Sequence, residues 1–197
     1  MIVDNAKITV VTGNAHKFSE IAAILSGVGE VVQFDVSCPE IQHTDIGIIS
    51  QEKAKYAYSI LKQPLITDDT GLFIPILHGF PGPYAAFVED TIGNAGILRL
   101  LEGISDAERS AYFETAIAYA DESGVMVFRG HIDGMITHEP RGKNGFGYDP
   151  IFEVSGITLA EMENSQKNSV SHRARGIMQF RDWFVTRKAK NEHAIVK

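Results

Sequence analysis

The sequence predicts an α/β fold built around a mixed β-sheet. Two observations support this class: short β-branched segments alternate with segments of helical spacing, and one long hairpin lies in the second half of the chain. The chain has 197 residues, of which 44% are hydrophobic and 22% charged. A chain of this size buries roughly 70% of the surface that it exposes when unfolded. We therefore expect a single domain over residues 1–197 that needs no disulfide or structural metal.

The first part of the chain alternates strands and helices. Lys7 to Thr12 is a β-branched run that ends at a Gly-Asn turn, and the apolar residues after that turn recur at helical spacing. Val31 to Val36 is a second strand. The apolar residues from about Ile48 to Lys62 again follow helical spacing, and Pro64 ends that helix. Leu65 to Thr67 is then a short apolar strand that leads directly into two aspartates.

The second part of the chain contains the hairpin and a long helix. A short helix is expected around Ile97 to Leu101. Ala111 to Ala120 and Val125 to Ile132 are two strands joined by the four-residue turn DESG. Arg141 to Tyr148 contains three glycines in a polar setting and is expected to be a loop. The last helix spans about Ser171 to Lys188 and buries three residues. These are Ile177, Phe180 and Phe184.

Cysteine count, charge and histidine spacing exclude several classes of protein. Cys38 is the only cysteine, which excludes an internal disulfide or a cysteine-based metal cage and favours a reducing compartment. The formal charge of −7 argues against a large nucleic-acid interface, so we expect no nucleic-acid partner. The histidines show neither HxH nor HExxH spacing, so a zinc site is not expected.

No membrane segment or secretory signal is expected. The longest stretch without Asp, Glu, Lys or Arg runs from Thr70 to Val88, but its prolines and glycines would break a helix in lipid. Met1 to Val11 lacks a basic region before a long apolar run. We therefore expect a cytoplasmic protein with no membrane partner.

A polar turn between the first strand and the first helix has the features of a phosphate site. It consists of Thr12, Gly13, Asn14, Ala15, His16 and Lys17. A glycine lets the backbone approach an anion, a helix N-terminus offers unpaired N–H groups, and the lysine adds a positive charge. An Asn-Gly turn that only caps the helix would have the same sequence.

Asp68, Asp69, Thr70 and Gly71 follow the short strand, where α/β sheets usually have their ligand crevices. Adjacent side chains in a strand point to opposite sides, so only one of the two carboxylates can face a given site. Two neighbouring carboxylates repel without a cation, which favours a hard metal ion with oxygen ligands. An Asx turn is the structural alternative. Glu40 follows Pro39 and, by spacing alone, is a solvated loop carboxylate.

Two further clusters carry groups that bind ligands. The loop from Gly142 to Pro150 places an aromatic residue between two glycines, where a flat ligand can stack. Asp149 can accept hydrogen bonds from donors on the edge of that ligand. Aromatics folded into the core are the alternative. Lys167 and the sequence Ser171-His172-Arg173 bring donors together at the start of the last helix, where they suit phosphate or carbonyl oxygens. A charged helix start in solvent is the alternative there.

Six blocks in order resemble the inosine triphosphate pyrophosphatase family, the non-standard purine nucleoside triphosphate pyrophosphatases. The blocks span about Lys7 to Phe184. They are TGNAHK at Thr12 to Lys17, PEIQ at Pro39 to Gln42, TDDTGL at Thr67 to Leu72, PGPYAAF at Pro81 to Phe87, GFGYDPIF at Gly145 to Phe152, and SHRARGI at Ser171 to Ile177.

The resemblance implies a fold and a reaction. The implied fold is an elongated mixed sheet flanked by helices, with two lobes and the active-site cleft between them. The implied reaction cleaves a purine nucleoside triphosphate between its α and β phosphates, giving the monophosphate and pyrophosphate. Implied substrates are the small nucleotides ITP, dITP and XTP, and the implied role is to cleanse the nucleotide pool. Members of this family are usually homodimers.

The resemblance also implies residue roles. Glu40 and Asp69 would hold Mg²⁺, with Mn²⁺ as the alternative metal, and Asp69 would accept the proton of the attacking water. The implied substrate-binding residues are Thr12, Gly13, Asn14, Ala15, His16, Lys17, Thr70, Phe146, Gly147, Tyr148, Asp149, Lys167, His172 and Arg173. Three residues depart from the family pattern. Asp68 replaces a common Glu, Thr70 a common Ser, and Ala85 another common Ser.

Charge and base chemistry agree with these roles. An acidic protein needs Mg²⁺ and a local basic patch to hold a triphosphate, and Lys17, Lys167 and Arg173 are the candidates for that patch. A metal would lower the pKa of Asp69 and keep it an effective base. The six-position oxygen of hypoxanthine and xanthine accepts from donors such as Arg173, whereas adenine has an amine there. Guanine shares this oxygen, so its exclusion must depend on the two-position amine.

Two other functions fit part of the same pattern. One is a metal-dependent phosphatase that uses Asp69 and releases orthophosphate. The other is a nucleotide-sensing or partner-binding module, against which the presence of Asp69, Glu40 and Lys17 argues, since a sensor needs no water-activating carboxylate. Phe80 and Tyr84, beside two prolines, lie either at a dimer interface or over one lobe of the pocket.

Overall fold

The structure, a computed structural model, describes the backbone of residues 7–195 and the side chains of residues 7–189. Met1 to Val11 was predicted not to be a secretory signal, and residues 1–6 of that segment lie outside the described residues. Within the described part of the chain, eight strands form one mixed sheet flanked by six α-helices. This confirms the predicted fold class.

The sheet has the strand order β2-β1-β3-β5-β6-β7-β8, with β4 paired to β3. The strands are β1 Lys7–Val11, β2 Glu30–Phe34, β3 Leu65–Phe73, β4 Pro81–Gly82, β5 Ser110–Asp121, β6 Gly124–Ile136, β7 Phe152–Val154 and β8 Ile157–Thr158. β1 runs parallel to β2 and β3, and every other pairing is antiparallel. β1 ends opposite Thr67, the third residue of the longer β3.

The helices connect and cover these strands. They are α1 Ala15–Ile24, α2 Ile46–Leu61, α3 Ala85–Thr91, α4 Gly93–Leu100, α5 Asn164–Val170 and α6 His172–Ile195. Asn14 caps α1 and Asp45 caps α2, each through a side-chain oxygen that accepts from backbone N–H groups of the first turn. No helix within residues 7–195 is long and apolar enough to cross a bilayer.

Most predicted elements are confirmed, but some were predicted too short and several short ones were not predicted. The last helix, expected to end at about Lys188, continues to Ile195, and the short strands β4, β7 and β8 were not predicted. The strand expected to end at Thr67 continues to Phe73, because β5 pairs with it over its whole length. The hairpin strand expected to end at Ile132 continues to Ile136. Helices α3 and α5 were not predicted at all, since each has only 7 residues and little apolar periodicity.

The core is divided between the two ends of the sheet. At one end, α6 and α1 cover one face of the sheet around Ile66, Ile117 and Phe180, while α2 covers the other face. At the other end, α3 and α4 pack around Leu72 and Phe152. The carboxyl end of β1 lies between these two cores, and the predicted site residues are found there.

A close contact between α6 and β6 depends on two glycines. A Cβ atom at Gly130 would overlap the carbonyl oxygen of His172 and lie 2.5 Å from the backbone nitrogen of Gly176. A Cβ atom at Gly176 would lie 3.2 Å from Cγ1 of Ile117, a distance that a small shift relieves. Gly130 therefore sets the position of the start of α6.

We predict that Gly130→Ala lowers the free energy of unfolding by about 3 kcal/mol, because the added methyl group forces α6 away from the sheet. Urea denaturation measures this change. Gly176→Ala is the matched control, with a change below about 1 kcal/mol, since helix propensity favours alanine there. Equal stability of wild type and Gly130→Ala would show that α6 does not contact β6 in this way.

Candidate active site

An apolar cleft and a polar groove meet where β1 ends beside β3. The apolar cleft is lined by Asn14, Lys17, Thr70, Ala85, Ala86, Glu89, Phe113, Phe146, Gly147, Tyr148, Asp149, Lys167, His172 and Arg173. The polar groove is lined by Val11, Thr12, Gly13, Asn14, Lys17, Val36, Cys38, Glu40, Lys53, Asp68 and Ala86. Because three residues line both spaces, one extended ligand can occupy the cleft and the groove together.

In the turn before α1, the side chain of Asn14 already uses two of the backbone N–H donors. Asn14 Oδ1 accepts from the backbone nitrogens of His16 and Lys17, at 2.9 and 3.0 Å. The backbone N–H groups of Gly13 and Ala15 make no hydrogen bond to the described residues. These two donors are therefore the ones that the turn offers to an anion.

The two adjacent aspartates of β3 face opposite sides of the sheet, as predicted from strand geometry. Asp68 Oδ1 lies 2.5 Å from Lys17 Nζ, and Asp68 Oδ2 accepts from Arg173 Nε at 3.0 Å. Burial alone would raise the pKa of Asp68, but the charges of Arg173 and Lys17 outweigh it and hold this pKa well below its usual range. Asp68 is therefore an ionised carboxylate that fixes two cations.

Asp69 lies on the other side, in a triad with Lys53 and Glu40. Lys53 Nζ lies 2.5 Å from Asp69 Oδ1 and 2.6 Å from Glu40 Oε1. The hydrogen bond from Lys53 lowers the pKa of Glu40. Burial raises the pKa of Asp69 even though Lys53 opposes that shift. A further cation beside Asp69 would oppose the effect of burial and favour the ionised carboxylate.

A chain of buried ion pairs joins Asp68 to the glycine-rich loop. Arg173 also pairs with Glu20 of α1, and Glu20 Oε1 lies 2.7 Å from Lys167 Nζ. Lys167 Nζ in turn lies 2.6 Å from Asp149 Oδ2. Arg173 and Lys167 are only 2% and 3% exposed, so each depends on these carboxylates for charge neutralisation.

Phe146 presents its ring at the mouth of the apolar cleft. Asp149 Oδ2 accepts from the Phe146 backbone nitrogen at 2.8 Å and so shapes the loop. Lys167 Nζ lies 4.7 Å from the ring centroid, and the His16 imidazole stacks against the ring at 5.2 Å between centroids. His16 of the predicted phosphate turn therefore contacts the aromatic loop.

His172 forms part of the cleft wall as a neutral imidazole. It is 4% exposed, its ring stacks on Phe113 at 4.6 Å, and its Nδ1 has no hydrogen-bond partner among the described residues. Burial, and then the charge of Arg173, lowers the pKa of His172 well below its usual range. Thr70, beside it in the cleft, shares a hydrogen bond of 2.6 Å with Thr115.

All but three of the predicted site residues line this cleft and groove. His16 lines a separate pocket with Glu20 and Asn144, Ala15 lines neither the cleft nor the groove, and Asp69 opens on a neighbouring pocket. That pocket also contains Glu40, Thr70, Tyr84 and Phe87. Three charged residues of the site were not predicted. Glu89 lines the cleft, Lys53 bridges Asp69 and Glu40, and Glu20 bridges Arg173 and Lys167.

Helical spacing gives a signal for two of these three. Lys53 lies one turn before Ala57 on the buried face of α2, where a lysine is unusual. Glu20 lies one turn after Lys17 on α1, which places both residues on the same face. For Glu89 we find no signal in the sequence.

The residues around Asp69 fit a hard cation. Asp69 Oδ2 is buried and has no hydrogen-bond partner within residues 7–195, and Glu40 shares the same lysine. In that part of the chain, no group of three or more His, Cys, Asp or Glu side chains could hold a metal by itself. Mg²⁺ is commonly held by one or two carboxylates together with water and substrate phosphates, so two carboxylates suffice.

Comparisons with known proteins agree with this geometry. A family model described as the Ham1 family matches residues 8–183. The chain is 46% identical to a dITP/XTP pyrophosphatase of Methanosarcina mazei, over 91% of this chain and 97% of that protein. It is 45% identical to a dITP/XTP pyrophosphatase of Saccharolobus solfataricus, over 93% of this chain and 96% of that protein.

Solved structures are similar as well. The Staphylococcus aureus Ham1 protein has a TM-score of 0.79 and 27% identity, over 92% of this chain and 100% of that chain. A HAM1 protein from Coxiella burnetii has a TM-score of 0.79 and 31% identity, over 91% of this chain and 98% of that chain.

We predict that His172 makes the protein less stable in mild acid. Below a pH near 6.5 the unfolded chain protonates this histidine, whereas the folded chain, with its lowered pKa, does not. Stability therefore falls as the pH decreases. Between pH 7 and pH 5, wild type should lose about 1–2 kcal/mol more unfolding free energy than His172→Asn. Urea denaturation of both proteins at several pH values measures this, and parallel pH profiles would contradict it.

Proposed function

The chain belongs to the Ham1 family, and on that premise we propose that it hydrolyses non-standard purine nucleoside triphosphates to the monophosphate and pyrophosphate. The family assignment confirms the resemblance found in the six sequence blocks. The substrates we assign are ITP, dITP and XTP. The observation that carries the proposal is the apolar cleft beside Phe146, which opens directly into a groove with a phosphate-binding turn.

The groove offers the phosphates both hydrogen-bond donors and a positive charge. The N–H groups of Gly13 and Ala15 are free for phosphate oxygens, and Lys17 lines both the groove and the cleft. The site as a whole, however, is not basic. Four cations face six carboxylates, and each of these cations is already paired with at least one of them. The cations are Lys17, Lys53, Lys167 and Arg173, and the carboxylates are Glu20, Glu40, Asp68, Asp69, Glu89 and Asp149.

A divalent cation supplies the missing positive charge. We assign Glu40 and Asp69 as its protein ligands and Mg²⁺ as the ion, with Mn²⁺ as the alternative. When bound, the ion supplies charge neutralisation to the triphosphate and favours the ionised form of Asp69. Lys53, which now bridges the two carboxylates, would then be free to donate to a phosphate oxygen.

Hydrolysis requires a base for the attacking water, and we assign this role to Asp69. The water oxygen bonds to the α-phosphorus, the bond from that phosphorus to the oxygen bridging the α and β phosphates breaks, and the bridging oxygen leaves as part of pyrophosphate. Asp69 accepts the proton of the water. Asp68 cannot share this role because it faces Lys17 and Arg173 on the other side of the strand, which hold its carboxylate in place.

Base selection follows from the donors in the apolar cleft. The purine stacks at Phe146, and Lys167 and Arg173 each lie within 6 Å of that ring. Both offer only donors, which suits the six-position oxygen of hypoxanthine and xanthine. The six-position amine of adenine would place two hydrogen-bond donors against each other in a buried site. Where the group is fully enclosed, such a mismatch disfavours the adenine nucleotide by several orders of magnitude.

We predict metal-dependent pyrophosphate release from ITP and XTP, with little from ATP and GTP. The assay measures pyrophosphate and orthophosphate with Mg²⁺ and again with excess chelator. Asp69→Asn should lower turnover by a factor of about 10²–10⁴, because the base is lost while the side-chain shape is kept. Its far-UV circular dichroism should match that of wild type, so that the loss reports chemistry rather than unfolding.

Other results of this assay would favour the other functions. Orthophosphate as the first product would indicate the phosphatase. ITP binding without any hydrolysis would indicate the sensor. Near-normal turnover of Asp69→Asn would refute the assignment of the base.

We also propose a cytoplasmic homodimer that acts on free nucleotides and not on nucleic acid. The resemblance supports the dimer, and so does an exposed apolar cluster next to Asp69: Phe87 is 68%, Tyr84 47% and Ile41 41% exposed. Scattered single apolar residues are normal on a surface, whereas three large ones around one pocket indicate a contact surface. We assign a second copy of this chain as its occupant.

We predict that sedimentation velocity gives about twice the chain mass of 21.6 kDa. Phe87→Glu should shift the protein to the monomer, because it places a charge in the buried contact. Met126→Glu is the control, since Met126 is 44% exposed but lies on β6 near the hairpin turn. A dimer that survives Phe87→Glu would exclude this surface.

A further inference from the structure

We propose that Asn94 is a positioning residue that holds Phe146 in the orientation required for base stacking. The inference rests on the proposed function for the identity of the ligand. Asn94 lies at the start of α4, outside the six sequence blocks and outside the residues that line the cleft. It acts through Gly147, the residue that follows Phe146.

The contact between Asn94 and the loop is specific. Asn94 Nδ2 donates to the carbonyl oxygen of Gly147 at 3.0 Å. Asn94 Oδ1 is buried and accepts no hydrogen bond from the described residues. Among those residues, the Gly147 carbonyl is therefore the one hydrogen-bond partner of this side-chain amide. The amide thus uses its NH₂ group and leaves its buried oxygen without a partner. The bond to Gly147 is therefore the contact that determines where the Asn94 side chain lies.

Gly147 needs such an external contact. Its φ angle is +64°, in the region that glycine adopts freely and other residues rarely adopt. The Phe146 carbonyl is held within the turn, since it accepts from the Asp149 backbone nitrogen at 3.2 Å. A glycine restricts its neighbours little, so local sterics do not fix the direction of the next peptide, the one after Gly147. The bond from Asn94 fixes the direction of the Gly147 carbonyl, and with it the backbone between Phe146 and Tyr148.

The loop is held from two sides. On one side, Asp149 accepts from the Phe146 backbone nitrogen and pairs with Lys167. On the other side, Asn94 donates to Gly147, and the Tyr148 hydroxyl donates to the Ala85 carbonyl at 2.8 Å. The first side belongs to the ion-pair chain, while the second ties the loop to α3 and α4. Phe146 lies between these two attachments.

Loss of the Asn94 hydrogen bond should therefore affect binding of the base and binding of the phosphates differently. Phe146 contacts only the base in the proposed complex, whereas the groove that holds the phosphates is built from the turn before α1, Lys53 and β3. A positioning role predicts weaker binding of ligands that carry a purine. It predicts no change for pyrophosphate, which has no base.

The test compares two substitutions, Asn94→Asp and Asn94→Ala. Asn94→Asp keeps the shape of the side chain but removes the donor, so it separates the hydrogen bond from packing. We expect the Kd of IMP and the KM of ITP to rise about five- to tenfold in both variants. The kcat for ITP should stay within about twofold of wild type, and the Kd of pyrophosphate should not change. Calorimetry measures the two Kd values without any turnover.

Arg99→Ala is the control variant. Arg99 lies on the exposed side of α4, so its loss should leave all four quantities unchanged. Thermal unfolding of each variant shows whether the fold is intact.

Three results would overturn the role of Asn94. These are unchanged IMP affinity in Asn94→Asp, equal losses for IMP and pyrophosphate, and a loss confined to kcat. Failure of the proposed function has a different signature, because wild type would then release no pyrophosphate from ITP. The comparison of IMP with pyrophosphate would still decide the role of Asn94.

Discussion

The buried guanidinium of Arg173 is the interaction on which the site depends. It donates through Nε to Asp68 and through a terminal nitrogen to Thr70, both on β3, and it pairs with Glu20 on α1. An unpaired charge at 2% exposure would cost several kcal/mol, so β3, α1 and α6 must keep this arrangement. The same contacts fix Asp68, and strand geometry then places Asp69 on the opposite side, next to Lys53.

The ion-pair chain that starts at Arg173 also leaves donors for a ligand. A lysine ammonium has three N–H groups, and Lys167 uses two of them, on Asp149 and Glu20. Arg173 has five and likewise does not use all of them. The carboxylates therefore hold the cations in position without consuming all of their donors. Rigid donors next to an aromatic ring suit a flat ligand with carbonyl oxygens better than mobile surface lysines would.

Local patterns in the sequence predicted the elements that have strong periodicity, and the motif blocks predicted which residues meet at the cleft. The sequence did not predict the length of β3, because Asp68 to Gly71 has the composition of a turn and only pairing with β5 keeps it extended. Lys53 was missed for a similar reason. Its two carboxylate partners lie 13 and 16 residues away in sequence, and only the packing of α2 on the sheet brings them together.

The charge balance of the site connects substrate binding to catalysis. In the protein alone, burial raises the pKa of Asp69, although the charges of Lys53 and Lys17 oppose that shift. A site that holds more carboxylates than cations repels a triphosphate. One divalent cation at Glu40 and Asp69 would reduce this repulsion and would favour the ionised form of the base. In the proposed enzyme, substrate binding and water activation would therefore depend on the same ion at the same two carboxylates.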